Sequence, residues 1–295
     1  MLNDFLIGHV TDEINKTGVT TILAPKGAMG GVSVRGAAPG TRETDLLRPM
    51  NSVTHAHAIV LAGGSAFGLA AASGVMKYLN EQNIGFDTGK YVVPIVPSAV
   101  IFDLNYGNFA YPDEVMGYFS AQNATAHNFA QGNIGAGTGA TIGKLFGGEL
   151  ASKGGLGISY LELEDKTILC AIVVVNAVGD VFDTFGNFVS GVKHKEGFKT
   201  VELLLKGAKP LDIAGQNTTI GCVLTNAKLT KEQANRLADI SHDGLAMSIK
   251  PVHTEFDGDT MFVLASGEVA TNFMALQAAC VTVVANAVVN AVTSV

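Results

Sequence analysis

The chain has 295 residues, of which 47% are hydrophobic and 15% charged, with 35 glycines, no tryptophan and a formal charge of −7. That length allows one large domain or two small ones, and the apolar excess calls for a thick core or contacts between subunits. The acidic balance argues against a nucleic-acid partner. The one basic cluster, Lys193-His194-Lys195, reads as a solvated turn.

In chain order, Met1 to Phe5 lacks the basic and apolar regions of a signal peptide, so a cytoplasmic location is expected. Ile7 to Leu23 reads as an opening segment with a short strand, and Val32 to Arg35 as an alternating strand within a Gly-rich stretch. Ala58 to Ala62 predicts a strand. A helix over 66–79 should follow, with Ser65 as its N-cap. Tyr91 to Val96 predicts a strand closed by Pro97, and Asp113 to Gln122 a helix. Gly132 to Gly148 is a Gly-rich loop. Ile158 to Leu163 and Ile168 to Val175 read as a hairpin, and Gly179 to Phe185 as a further strand or turn. Residues 195–216 read as an exposed linker. Thr219 to Thr225 predicts a strand, 231–249 a helix, 260–265 a strand and 268–292 a long apolar helix. Gln277, Asn286 and Asn290 interrupt that last segment and no Lys or Arg flanks it, so a buried or interface helix is expected, not a membrane span. Apolar strands followed by small-residue helices suit a layered α+β sandwich better than strict βαβ alternation.

Few motifs survive inspection. Cys170, Cys222 and Cys280 lie far apart in apolar segments and read as buried small hydrophobes, with no zinc or disulfide spacing. His55 and His57 lack an acidic or cysteine partner, so neither a metal nor another cofactor is expected. Gly135-Ala136-Gly137-Thr138-Gly139-Ala140 fits GxGxxA but follows no strand. Gly143-Lys144 is followed by Leu145, which excludes a P-loop. Gly63-Gly64-Ser65-Ala66 continues into Phe67 where a nucleophile elbow needs glycine.

Three places hold more. Asp257 and Asp259 flank Gly258 before a strand, as a plain turn or as a pair orienting an ammonium or hydroxyl. Asn176 ends an apolar run, as a turn former or an oxyanion donor. Thr218 opens an apolar strand after Gln216-Asn217, an odd place for a hydroxyl unless it becomes a chain terminus. An N-terminal threonine carries its own base, an α-amine of pKa about 7.7–8.0.

Six ordered blocks together resemble the self-processing family of the L-aminopeptidase/D-esterase, the β-peptidyl aminopeptidases and the nylon-oligomer hydrolase. They are 36–45 (GAAPGTRETD), 61–68 (LAGGSAFG), 96–104 (VPSAVIFDL), 137–144 (GTGATIGK), 217–221 (NTTIG) and 251–260 (PVHTEFDGDT). The resemblance implies a four-layer αββα sandwich, similar to N-terminal-nucleophile hydrolases in arrangement. It implies a single domain, 1–295, that cuts itself between Asn217 and Thr218 into chains 1–217 and 218–295. Thr218 takes the nucleophile's place, Asn176 the oxyanion side, Lys144 the basic position after the Gly-rich loop, and Asp257 and Asp259 the carboxylate pair. A small peptide or amide substrate and a homo-oligomer, a tetramer, are implied as well. The aminopeptidase branch carries serine as nucleophile and a tyrosine in the Gly-rich segment. The threonine here tilts the resemblance toward the nylon-hydrolase branch. Two other readings stay open. An acyltransferase of the ornithine acetyltransferase type shares the sandwich, although its Met-Ala-Thr-Met-Leu motif is absent. An uncut, non-catalytic oligomeric binder would run as a single chain on a denaturing gel.

Overall fold

A computed structural model describes residues 2–211 and 216–295. Its centre is a nine-stranded sheet. In chain order the strands are β1 (Leu6–Asp12), β2 (Thr17–Val34), β3 (Thr41–Arg42), β4 (His55–Ala62), β5 (Ser98–Val100), β6 (Gly155–Glu162), β7 (Ile168–Asn176), β8 (Thr218–Ala227) and β9 (Thr260–Val269). Their spatial order is β6-β7-β8-β9-β2-β4-β5-β3, with β1 also paired to β2. Among the described residues only β8/β9 and β4/β5 are parallel.

One long strand divides this sheet into two layers. Thr17 to Leu23 of β2 pair with β1, while Met29 to Val34 pair with β9. The register against β4 slips between Leu23 and Ala28, and Gly27 there adopts φ +74°, a left-handed conformation glycine takes without steric cost. The sheet bends across this irregularity and folds onto itself.

Adjacent residues show the layering, because successive side chains on a strand point to opposite faces. Ile22, Ile59, Ile172, Cys222 and Phe262 meet in a central core between the two halves of the sheet. Their neighbours point outward to two separate cores. Leu23 and Val60 pack with Val75 and Leu79 of α1 (Ala71–Glu81), beside Ala121 of α2 (Glu114–Gln122). A six-residue helix, α3 (Thr200–Leu205), follows β7 on the path to β8. Val173, Val223 and Val263 pack against α4 (Lys231–Ser248) and α5 (Phe273–Thr293). Both faces of the central strands are therefore buried, and the layers run helix, sheet, sheet, helix, as expected.

Local signals place the helices. Asp113 Oδ1 accepts from Met116 N at 2.9 Å to start α2, Thr230 and Gln233 form a capping box on α4, and Asn272 caps α5. Helix α5 is long and apolar enough to cross a membrane, yet its Leu276, Val284 and Val288 are packed on the sheet.

Several expectations need correction. Ser65 does not cap a helix: Gly64 precedes a 3₁₀ segment, Ser65–Ala70, and Ser65 itself sits at φ +53°. The predicted 91–96 strand is reduced to Val92–Val93, since Pro94 and Pro97 remove donors a longer strand would need. The last helix begins at Phe273, because Glu268 and Val269 still belong to β9. The opening segment is a full hairpin rather than one short strand. The 195–216 stretch contains α3, tied to the fold by the Asp180 carboxylate, which accepts from Thr200 N at 2.6 Å and Thr200 Oγ1 at 2.9 Å. Residues 212–215 of that stretch lie outside the described residues.

Candidate active site

Three chain segments converge at one end of β8. Strand β7 ends at Asn176, which is paired with Thr218, the first residue of β8. On the other flank Asn217 bridges to Asp257 in the turn before β9. The Gly-rich segment lies over this junction, where Lys144 N donates to Val178 O at 3.2 Å. Residues remote in sequence thus meet because three neighbouring backbones stop at the same level. Thr218, Asn217, Asn176, Lys144, Asp257 and Asp259 are all buried.

The Asn217–Thr218 junction has a distinct geometry. Thr218 Oγ1 donates to the Asn217 carbonyl oxygen at 2.5 Å. The same oxygen accepts Gly258 N–H at 2.9 Å. One carbonyl is thereby polarised by a backbone donor and contacted by the hydroxyl that follows it in the chain, the arrangement that favours charge developing on that oxygen.

Gly258 must be glycine for this approach. A Cβ there would lie 2.5 Å from Ala38 O and 3.0 Å from Thr218 Oγ1. Gly36 is equally constrained, since its Cβ would meet Asp259 N at 2.2 Å and Asp257 O at 2.3 Å. Ala38 N in turn donates to Asp257 O at 2.9 Å. The Gly36–Gly40 stretch therefore buttresses the Asp257–Asp259 turn.

The two aspartates have different duties. Asp259 Oδ1 accepts Thr219 N–H at 2.6 Å, and its Oδ2 accepts His253 N at 3.1 Å and faces His253 Nδ1 at 2.7 Å. It anchors the residue next to Thr218. Asp257 Oδ2 accepts from Thr254 N at 2.8 Å and Thr254 Oγ1 at 2.6 Å, while its buried Oδ1 has no partner among the described residues. Burial, reinforced by Asp259, pushes the Asp257 carboxyl up to about 6.

Lys144 Nζ donates to Asn176 Oδ1 at 2.8 Å, to Asn176 O at 3.0 Å and to Gln216 O at 3.0 Å. Asn176 Oδ1 also accepts Thr141 N–H at 3.0 Å, and its Nδ2 donates to Phe102 O at 3.1 Å and Gln216 O at 3.4 Å. Burial lowers the Lys144 ammonium to about 7, against the pull of Asp257 and Asp103. The Asn217 carbonyl thus receives Gly258 N–H and the Thr218 hydroxyl, and Asn176 turns its amide to the carbonyl of the residue before. Beside these groups opens a cavity of about 130 Å³ lined by Phe102, Asp103, Tyr106, Lys144, Gln216 and Asn217, among others.

Residues 3–295 match the model of peptidase family S58. The chain belongs to that family. A protein of Mycobacterium leprae named as an uncharacterized aminopeptidase is 44% identical over 270 residues, covering 85% of this chain and 71% of that protein. The 6-aminohexanoate-oligomer endohydrolase of Kocuria sp. is 34% identical over 271 residues, covering 89% of this chain and 73% of its own. Among solved structures, the L-aminopeptidase D-Ala-esterase/amidase of Ochrobactrum anthropi, described as a variant of the Ntn hydrolase fold, superposes with a TM-score of 0.74 at 17% identity. That match covers 98% of this chain and 84% of the other. A Burkholderia β-aminopeptidase superposes with a TM-score of 0.71 at 19% identity, covering 99% and 86%. This S58 protein is a hydrolase of peptide or amide bonds on an Ntn-like sandwich.

Three further groups near the junction were not singled out in the sequence. Gly258 was visible only as a turn glycine, whereas its N–H meets the Asn217 carbonyl. Asp103, within the block 96–104, is buried beside the cavity, accepts from Thr17 Oγ1 at 2.8 Å and Gly64 N at 2.6 Å, and is pushed up to about 6 by burial. Lys153 donates to the carbonyls of Gly137, Ala140 and Gly154, and burial lowers it to about 7. Nothing in its local sequence, Ser152-Lys153-Gly154, marks it.

Proposed function

We propose that this protein cuts its own chain between Asn217 and Thr218, and that Thr218 then hydrolyses amide bonds through an acyl-enzyme. The observation that carries this reading is the Asn217 carbonyl oxygen, shared between Thr218 Oγ1 and Gly258 N–H. In the precursor, Thr218 Oγ1 bonds to the Asn217 carbonyl carbon as the Asn217–Thr218 C–N bond breaks. The hydroxyl proton ends on the freed nitrogen. Asp257 Oδ1, buried and without a partner among the described residues, is the acceptor left open at this turn to relay it. Water then opens the ester, leaving a carboxylate on Asn217 and a free hydroxyl and amine on Thr218.

In the mature protein, of chains 1–217 and 218–295, the Thr218 amine takes the hydroxyl proton as Oγ1 attacks a substrate carbonyl. Gly258 N–H receives the developing oxyanion, joined by Asn176 once Gln216 has moved. The leaving amine takes the proton, and water, deprotonated by the same Thr218 amine, releases the acid. Lys144 with Asp257 and Asp259 sets the proton affinity of that amine. The names of the relatives, an aminopeptidase and an oligoamide endohydrolase, support this chemistry. Mass spectrometry of the purified protein tests it: a fragment beginning at Thr218 is expected, and a Thr218→Ala chain that is still cut there would refute it.

A further inference from the structure

The Gly-rich stretch sends two donors to Asn176 Oδ1, Thr141 N–H at 3.0 Å and Lys144 Nζ at 2.8 Å. Together they fix which way that amide faces, because a flipped amide would set its own N–H groups against theirs. Nδ2 is left for Phe102 O and Gln216 O, ahead of β8. The two donors are unequal. Lys144 ends a flexible four-carbon stem, whereas Thr141 N–H is backbone and is as fixed as the peptide that carries it.

Lys153 holds the opposite edge of that peptide. The Ala140 carbonyl belongs to the same planar unit as Thr141 N–H, and it accepts Lys153 Nζ at 2.7 Å and Gly154 N at 2.9 Å. Lys153 Nζ also donates to Gly137 O at 3.1 Å and Gly154 O at 2.8 Å, which uses all three hydrogens of an ammonium. Its own backbone is anchored, since Ser152 and Lys153 pair with Ile142 and Thr141 in a short antiparallel ladder. A cation on the carbonyl of a peptide strengthens the N–H donor across it. The stretch cannot stiffen itself: a Cβ on Gly139 would lie 2.4 Å from Lys16 O.

We infer, resting on the acyl-enzyme reading above, that Lys153 is a positioning residue for the oxyanion donor: through the Ala140–Thr141 peptide it aims Asn176 Nδ2 at the start of β8. Two reactions of the same site should then part company. In the uncut chain the Asn217 carbonyl meets Gly258 N–H and the Thr218 hydroxyl, with Asn176 turned to Gln216. Self-cleavage should be nearly indifferent to Lys153, and turnover should depend on it.

The test compares wild type, Lys153→Met and Lys153→Arg. The acylating probe is p-nitrophenyl acetate, with kcat/KM counted per Thr218 amino terminus. Removing an oxyanion donor costs about a hundred- to a thousandfold, and a misaimed one in Lys153→Met should cost about tenfold. Lys153→Arg keeps a cation on the carbonyls and should recover most of that loss. Self-cleavage of both variants should stay within about threefold of wild type. In an Asn176→Ala background Lys153→Met should cost nothing further, since no amide is left to aim. Undiminished turnover in Lys153→Met would overturn the inference. So would equal slowing of cleavage and turnover, or the full loss repeated without Asn176, either of which makes Lys153 merely structural. If Lys153→Met yields no folded protein, Lys153→Gln takes its place under the same criteria. A processed wild type inert toward the probe would refute the acyl-enzyme reading and this inference with it. Failure of self-cleavage shows separately, as an uncut Asn217–Thr218 bond before any probe is added.

Discussion

The two ends of β8 differ in kind. At Thr218 the sandwich closes over buried carboxylates, an ammonium and backbone donors. About six residues on, roughly 20 Å away at 3.3 Å per residue, Leu224 and Cys170 line a cavity of about 310 Å³ with Phe5, Ile7, Phe129 and Tyr160. The apolar end is the larger opening, yet its nucleophile is silent. Burial pushes the Cys170 thiol up to about 12, so it stays protonated and unreactive. The same physical force acts oppositely at the other end, where burial brings Lys144 down to about 7. Desolvation favours the neutral form of both groups, which disables a thiol and eases an ammonium toward losing its charge.

The comparison breaks most sharply at Thr218. Thr218→Ala should abolish both chain cleavage and amide turnover, read by denaturing gel and by release of anilide, while Thr218→Ser should restore cleavage. Gly258→Ala comes next. Its new methyl would press on Ala38 O and Thr218 Oγ1, and cleavage should slow by about a hundredfold, the usual cost of a displaced oxyanion donor. At the apolar end Cys170→Ala should leave cleavage unchanged and cost about 1 kcal/mol in chemical denaturation, as expected for a small buried group.

Acidity sharpens the contrast further. On the proposed mechanism turnover needs a neutral Thr218 amine, so kcat/KM should rise with pH through about 7 to 8. Stability of the uncut Thr218→Ala chain should follow a different course. Asp257 and Asp103 are raised to about 6, so between pH 4 and 6 the folded chain binds more protons than the unfolded one, and their contribution falls as pH rises. Lys144 and Lys153 are lowered to about 7, so above that pH the unfolded chain binds more protons and their contribution grows. His9 and His242, lowered by burial to about 4, act with the opposite sign over the same acid range and offset the aspartates. Melting temperature should therefore change little between pH 4 and 6 and rise above about 7, and Lys144→Met should flatten that rise.

Much of this was legible in the sequence, for physical reasons. The β6–β7 hairpin announces itself by two apolar runs around Glu164-Asp165-Lys166, and α4 by its stripe of Leu237, Ile240 and Leu245. The Asn217–Thr218 junction and the Asp257/Asp259 turn stand out because polar residues interrupt apolar strands. Ser65 misled because its preference for caps is local, whereas its positive φ is imposed by the turn after β4. Asp103 stayed hidden because its partners, Thr17 and Gly64, lie across the fold, and Lys153 because its partners are backbone carbonyls, which residues of any type supply. The Lys144 contact with Gln216 spans 72 positions and leaves no periodic trace.

The place of β8 within the sheet has a mechanical consequence. Its partners on both sides are β7 and β9, and β9 is in turn hydrogen-bonded to β2. A break just ahead of Thr218 would sever covalent continuity without freeing either piece, because each supplies interior strands to the other. The halves should travel as one particle through a sizing column and part only in detergent or denaturant, as interlocked as before the cut.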